Sequence, residues 1–159
     1  MRKNSLKSTD KREKEVCLLQ KGQIHRKDEI TLNQIINEIK KNPEIYKSGG
    51  IACFIGIVRG IDESGDKVTK LAFETYEEKA NEVLQSICNE LIERDGIIDV
   101  HIHHIIDELD VSEDIVYVVV AGGHRFDLWP TLRDAVERFK EDAPIWKKEF
   151  TLSGAQWIH

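Results

Sequence analysis

The 159-residue chain has the length of one domain, and its 40% hydrophobic and 33% charged residues exclude a disordered or membrane-spanning protein. Its longest apolar stretch, residues 115–121, is far below the roughly 18 residues that span a bilayer, and no signal-peptide core precedes it, so we expect a cytoplasmic protein. Three widely spaced cysteines, Cys17, Cys53 and Cys88, indicate neither a disulfide framework nor a metal site and are predicted to be buried thiols.

The net charge of −6 is unevenly distributed along the chain. Residues 1–14 hold six Lys/Arg against Asp10 and Glu13, a net charge of +4, so the rest of the chain carries −10. An acidic body repels phosphate backbones, which argues against nucleic-acid binding. Binding of nucleic acid through basic residues 1–14 alone remains a weaker alternative. We predict a disordered basic leader over residues 1–14 and one folded domain over residues 15–159.

The first half of the chain alternates apolar strands with amphipathic helices. Thr31 and Gln34 form a capping box that starts a helix, and the β-branched run after Gly50 is typical of a mostly buried strand. In chain order we predict a strand at 16–19, a helix at 31–42, a strand at 51–58, a second strand at 68–75 antiparallel to it, and a helix at 77–94.

The second half is predicted to contain a hairpin, a helix and an irregular end. Strands at 99–106 and 115–121 flank an acidic turn, and a helix runs from Pro130, acceptable at a first helical position, to Asp142. Residues 145–159 have no clear period and are expected to wrap the surface or form a short strand. This order of elements favours an α+β domain with a largely antiparallel sheet.

Several catalytic classes lack their motifs. Neither a phosphate-binding GxxxxGK[ST] or GxGxxG loop nor a GxSxG nucleophile elbow occurs in the sequence. His101, His103 and His104 are candidate metal ligands, because His101 and His103 share one face of a strand, but no third ligand follows at a recognisable spacing. We therefore expect no metal and a half-exposed, histidine-rich strand.

The remaining candidate site is cationic. Its members follow strand ends or helix ends, where sites are commonly built. If they converge, they form a pocket for a phosphate or carboxylate, in which crowding lowers a lysine pKa. The alternative, left open by spacing alone, is that each is a solvated surface charge. The members are Arg59, His124, Arg125, Lys140, Lys147 and Lys148.

Four motifs in order make the chain resemble the large subunit of molybdopterin synthase, over roughly residues 15–159. The most specific is the closing one, in which a lysine and two polar residues precede Ala-Pro-x-Trp-Lys-Lys-Glu. The motifs are residues 54–60 (FIGIVRG), 71–76 (LAFETY), 124–125 (HR) and 140–149 (KEDAPIWKKE) with Trp157.

The resemblance implies a hammerhead-like α/β fold and a homodimer within a heterotetramer, each large subunit carrying a small ubiquitin-like sulfur carrier. The carrier ends in a Gly-Gly thiocarboxylate whose tail enters the large subunit. Two sulfurs pass in turn to cyclic pyranopterin monophosphate, which gives the dithiolene of molybdopterin. The resemblance implies neither a cofactor nor a metal for this step.

The resemblance also assigns roles to matching positions. Lys140 and Lys147 match the catalytic lysines, which transfer protons during ring opening and stabilise the charge of the carrier's carboxyl terminus. Arg59, His124 and Arg125 match residues that hold the pterin phosphate, some of them across the dimer interface. Phe54, together with Lys147, matches the channel for the carrier tail.

Three positions depart from the family pattern. Ile105 replaces an arginine, Asp107 replaces a glycine, and Ser112 replaces a turn glycine. Loss of the arginine is expected to weaken substrate binding or alter the dimer contact. It supports one alternative, a non-catalytic paralogue that only binds a ubiquitin-like sulfur carrier.

Overall fold

The computed structural model describes residues 19–158, so the leader predicted over residues 1–14 and residues 16–18 of the predicted first strand lie outside the described residues. The described part contains three α-helices, one 3-10 helix and eight strands. They are β1 (Gly22–His25), α1 (Leu32–Ile39), the 3-10 helix (Ile45–Lys47), β2 (Gly50–Ile57), β3 (Val68–Thr75), α2 (Glu77–Ile92), β4 (Ile97–Ile105), β5 (Glu108–Asp110), β6 (Asp114–Gly122), α3 (Arg125–Asp142), β7 (Ile145–Thr151) and β8 (Gly154–Ile158).

The strands form two four-stranded sheets. The first has the order β1-β4-β6-β2 and the second the order β5-β3-β7-β8. Among the strands of residues 19–158, only β1 and β4 pair in parallel, whereas the other pairings are antiparallel. The prediction of an α+β domain with largely antiparallel strands is therefore confirmed. None of the helices within residues 19–158 is long and apolar enough to cross a bilayer.

The predicted pairing of β2 with β3 is wrong. β2 pairs with β6 in the first sheet, whereas β3 lies between β5 and β7 in the second. The segment between them, closed by a bridge from Ile61 to Lys67, carries the chain from one sheet to the other. Both strands consequently face a common space, although they do not share hydrogen bonds.

β2 is also less buried than predicted, because it is the edge strand of the first sheet. Ala52 is buried, but Cys53, Ile55 and Ile57 are exposed. Cys53 is thus not the buried thiol that we expected, whereas Cys88 is one. Cys17 lies outside the described residues.

The first sheet has a hydrophobic core on each face. One cluster joins it to α2 and α3, and the other joins it to α1, β3 and β5. Gly22 brings β1 against α2, where a Cβ atom would overlap the backbone of Leu84. The predicted capping box starts α1, since the Thr31 side chain accepts from the backbone of Gln34 and the Gln34 side chain accepts from Thr31.

α3 begins at Arg125, not at Pro130 as predicted. Pro130 lies inside the helix, in its second turn. A proline there removes only the bond to the carbonyl group of Phe126, near the helix end, and the backbone N–H groups of Asp127 and Leu128 already bond to the His124 carbonyl group. The longer helix makes His124 its N-cap residue and separates Arg125 from Lys140 by four turns.

The segment after α3 is more regular than predicted. It forms the hairpin of β7 and β8, in which Lys148 pairs with Trp157. β7 also pairs with β3, and Phe73 lies opposite Lys147. The sequence predicts at most one short strand here, because the side chains of β7 and β8 are half-buried or exposed on both faces and show no apolar period.

Ser112 holds a backbone conformation that favours glycine. Its φ angle is 73°, in the left-handed region, which costs a residue with a Cβ atom about 1–2 kcal/mol. We expect Ser112→Gly to raise the free energy of unfolding by roughly 1 kcal/mol, measured by urea denaturation. Asp107→Gly serves as the control, because Asp107 has no positive φ angle and gains nothing from glycine. Equal effects of both changes would contradict this explanation.

Candidate active site

A cavity of about 1110 Å³ lies where the two sheets meet the C-terminal end of α3. Its walls come from β2, β3, β7, β8 and the segment between β2 and β3. Four residues singled out from the sequence line it: Phe54, Arg59, Lys140 and Lys147. These residues are far apart in the chain, and the fold brings them together.

The two lysines reach the cavity from different elements. Lys147 lies in the middle of β7 and is half-buried, whereas Lys140 is exposed in the last turn of α3. The Nζ atom of Lys140 lies 5.8 Å from the centroid of the Phe54 ring, within range of a cation–π interaction. Phe54 therefore forms an apolar wall beside a positive charge.

The surroundings of Lys147 lower the pKa of its side chain. Burial lowers its pKa, and the positive charges of Lys140 and Arg59 lower it further, while Glu149 and Glu63 oppose the shift. Removing an ammonium group from water and placing it near like charges disfavours its charged form. Lys147 is thus easier to deprotonate than an ordinary surface lysine.

The cavity also contains acidic groups, which the sequence analysis missed. Asp62, Glu63 and Glu149 line it beside the cations, so the cavity is not purely cationic as expected. Asp62 is held by the segment it belongs to, since its carboxylate accepts from Ser64 and from the backbone of Asp66. The sequence could have indicated Glu149, because side chains alternate along a strand and residues 147 and 149 of β7 therefore lie on one face.

Lys148 does not line this cavity. Its Nζ atom lies 5.5 Å from the centroid of the Phe150 ring and 5.7 Å from that of Trp157. The side chain is absent from the cavity lining. The neighbouring lysines 147 and 148 are therefore separated by the pleat of β7 into one that faces the cavity and one that does not.

His124 and Arg125 do not join the other cations of their own chain. Both are exposed at the N-terminal end of α3, and the Arg125 guanidinium group lies 4.5 Å from the centroid of the Phe126 ring. A helix rises 1.5 Å per residue, so about 22 Å separate Arg125 from Lys140 along α3. Within one chain, only Arg59, Lys140 and Lys147 of the candidate cations line the cavity.

His101 and His103 are buried rather than half-exposed. The Nδ1 atom of His101 lies 3.1 Å from Nε2 of His103, and Nδ1 of His103 lies 2.8 Å from Nε2 of His25. The three rings form a linear hydrogen-bonded chain, since His103 uses both its nitrogens, and they do not converge on one point. No group of side chains within residues 19–158 is arranged to hold a metal ion.

These buried histidines are expected to make the protein sensitive to acid. Burial lowers the pKa of His101 and His104 to about 4 and that of His103 to about 2, so they stay neutral in the folded state at pH values where the unfolded chain binds protons. Below pH 6.5, each such histidine is expected to cost about 1.4 kcal/mol of stability per pH unit. The loss continues until the pH reaches the folded-state pKa.

Urea denaturation between pH 7 and pH 4.5 measures this loss. His104→Gln is the matched variant, because it removes one of these histidines and leaves the His25–His103–His101 chain intact. Its free energy of unfolding should fall by about 1.4 kcal/mol less per pH unit than that of the wild type. Identical slopes for both proteins would contradict the assignment of His104 as a neutral buried histidine.

Ile105, where the family pattern has arginine, does not line the cavity. Its side chain is 4% exposed and packs in the core with Leu109 and Tyr117. The expectation that this replacement weakens substrate binding is therefore not supported within one chain. The main argument for a non-catalytic paralogue is correspondingly weaker.

Comparison with known proteins gives consistent matches. The family model described as MoaE protein matches residues 25–142. A probable molybdopterin synthase of Haloferax volcanii is 38% identical over 132 residues, which are 82% of this chain and 50% of that protein. The chain thus spans half the length of this archaeal relative.

Two further matches each cover most of both aligned chains. A molybdopterin synthase catalytic subunit of Pyrococcus abyssi is 41% identical over 112 residues, 70% of this chain and 74% of that protein. The crystal structure of molybdopterin synthase from Staphylococcus aureus superposes with a TM-score of 0.77 and 30% identity, and the match covers 89% of this chain and 98% of that one. The chain therefore shares the fold of that structure.

Proposed function

This chain belongs to the MoaE protein family, and from that premise we propose that it is the catalytic subunit of a molybdopterin synthase. The observation that carries the proposal is the cavity into which β7 and α3 bring Lys147 and Lys140, beside Arg59 and Phe54. These are the residues that the motif resemblance assigned to catalysis, phosphate binding and the carrier-tail channel.

The proposed reaction transfers sulfur from a small ubiquitin-like carrier, whose C-terminal Gly-Gly ends in a thiocarboxylate, to cyclic pyranopterin monophosphate. Two such transfers give the dithiolene of molybdopterin. Arg59 and Lys140 offer positive charge to the phosphate and to the thiocarboxylate, which are both anions. Phe54 offers an apolar wall to the carrier tail.

Lys147 is proposed as the residue that exchanges protons during the reaction. Its half-buried position and its cationic neighbours lower its pKa. A lysine with a lowered pKa releases and regains a proton near neutral pH more readily than a solvated one. The carboxylates of Glu63 and Glu149 lie in the same cavity and limit this shift.

The proposed assembly is a homodimer of this chain with one carrier on each subunit, a heterotetramer. Arg125 and His124 cannot reach the cavity of their own chain, because α3 holds them about 22 Å from Lys140. If they bind the pterin phosphate, they must do so in the cavity of a second copy. Their exposure at the start of α3 makes them available for this role.

We also propose where the reaction takes place and which groups take part in it. We place the reaction in the cytoplasm, without a metal or prosthetic group and without nucleic acid or membrane as a partner. The substrates themselves supply the sulfur and the pterin, and the side chains of the cavity supply charge and proton transfer.

Anaerobic incubation of the purified chain with cyclic pyranopterin monophosphate and thiocarboxylated carrier tests the proposal. The product is measured as the fluorescent oxidised pterin. We expect product with the thiocarboxylated carrier and none with the same carrier ending in an ordinary carboxylate. Tight carrier binding without product would instead identify the chain as a non-catalytic, carrier-binding paralogue.

A further inference from the structure

His104 lies in the cavity wall with a fixed tautomer. Its Nδ1 atom lies 3.0 Å from the carbonyl oxygen of Ile105. A carbonyl oxygen only accepts hydrogen bonds, so Nδ1 carries the proton and donates it. In the neutral ring the other nitrogen, Nε2, then presents a lone pair and can only accept.

The free nitrogen faces the cavity. His104 is among the residues that line it, although the whole side chain is only 4% exposed. Nε2 has no hydrogen-bond partner within residues 19–158, yet no side-chain nitrogen or oxygen in that range is both buried and without a partner. Nε2 is therefore not fully buried, and the cavity is the open space that His104 lines.

The ring is also held rigidly. It makes an edge contact with Phe73, with centroids 5.2 Å apart and planes inclined at 73°, and another with Phe139 at 5.9 Å and 68°. Both phenylalanines line the same cavity, and Phe73 lies opposite Lys147 in the pairing of β3 with β7. The acceptor thus has a defined direction beside the proposed proton-transfer residue.

At neutral pH the His104 ring is uncharged and can accept a hydrogen bond at Nε2. Burial lowers its pKa to about 4, and the positive charge of Lys147 contributes to this shift, against the hydrogen bond to Ile105. A group with so low a pKa is a poor general base at pH 7. It remains able to accept a hydrogen bond without taking the proton.

We propose that His104 is a further substrate-positioning residue, whose Nε2 atom accepts a hydrogen bond from a ring N–H group of the bound pterin. The inference rests on the proposed function, because it names the contact that orients this substrate beside Lys147. Pterin rings carry several N–H donors in one plane, and a single rigid acceptor fixes the rotation of such a ring. No bond other than this hydrogen bond forms or breaks at His104.

Two variants separate this role from packing. His104→Phe keeps a flat ring between Phe73 and Phe139 but removes the acceptor, whereas His104→Gln offers a side-chain oxygen near the position of Nε2. We expect His104→Phe to raise the KM for the pterin by about 10-fold with a smaller change in kcat. His104→Gln should restore the KM to within about 3-fold of the wild-type value. His104→Leu replaces the Phe variant if the latter does not fold.

The results separate the proposed function from the role of His104. Absence of product with the wild type and thiocarboxylated carrier would overturn the proposed function itself. Product formation by the wild type together with an unchanged KM in His104→Phe would overturn only the role of His104. A raised KM in both the Phe and Gln variants would assign His104 to packing and would also overturn the proposal.

Discussion

Replacing Lys147 by alanine is expected to reduce product formation by about 100-fold or more, the effect typical of losing a positioned acid or base. The half-buried Lys147 side chain faces the cavity, and its pKa is lowered by burial and by nearby cations. Lys140 cannot replace Lys147, because its side chain reaches the cavity from α3 and not from β7. The measurement is the initial rate of pterin conversion with saturating thiocarboxylated carrier.

Lys148→Ala is the matched control for this change. It removes the same side chain one residue along β7, where Lys148 lies over Phe150 and Trp157 and not in the cavity. We expect it to retain most of the wild-type rate. Comparable losses in the two variants would show that the effect is one of folding or general charge, not of the position of Lys147 in the cavity.

Mixing two inactive variants is expected to restore activity if Arg125 acts across a dimer. Arg125→Ala removes a cation that lies about 22 Å from Lys140 of its own chain along α3, and Lys147→Ala inactivates the cavity itself. In a mixed dimer, the chain with intact Lys147 receives the intact Arg125 of its partner. One of the two sites is then complete.

The expected recovery has a definite size. When equal amounts of the two variants exchange at random, half of the dimers are mixed. Each mixed dimer has one complete site of two, so we expect about a quarter of the wild-type rate if Arg125 acts across the dimer. The two variants are unfolded and refolded together, and product formation is compared with that of each variant refolded alone. No recovery above the separate variants, in a sample shown to contain mixed dimers, would contradict the shared site.

The elements that were predicted correctly are those whose pattern is local. The capping box of Thr31 and Gln34 and the apolar stripe of α2 depend on neighbours within four residues. The pairing of β4 with β6 likewise follows from two apolar runs, although residues 108–110 of the predicted acidic turn between them form β5 of the second sheet. In each case the residues that decide the structure are close together in the sequence.

The errors concern tertiary context. Periodicity along β2 does not say that β3 belongs to another sheet, because that depends on which strands compete for its hydrogen bonds. The preference of proline for a first helical position predicts a helix start at Pro130, yet α3 continues through this residue with one hydrogen bond fewer. Residues 145–158 lack a one-sided apolar face, so their pattern predicts at most one short strand where the structure has both β7 and β8.

The sequence predicts only part of the candidate site, because the rest of the site also depends on tertiary context. The motifs identified Lys140, Lys147, Arg59 and Phe54, which line one cavity. They did not identify Glu63 or His104 as cavity residues, because only the fold brings these positions beside Lys147. The resemblance implies that some phosphate-binding residues act across a dimer interface, but it does not say that Arg125 is one of them.

The most direct test of the central claim is a single-turnover assay of wild type and Lys140→Ala, each mixed anaerobically with thiocarboxylated carrier and cyclic pyranopterin monophosphate. Glu141→Ala, an exposed neighbour in the last turn of α3, is the control. The account predicts molybdopterin with the wild type and the control and essentially none with Lys140→Ala. Wild-type amounts of product from Lys140→Ala would contradict the assignment of this cavity as the site of sulfur transfer.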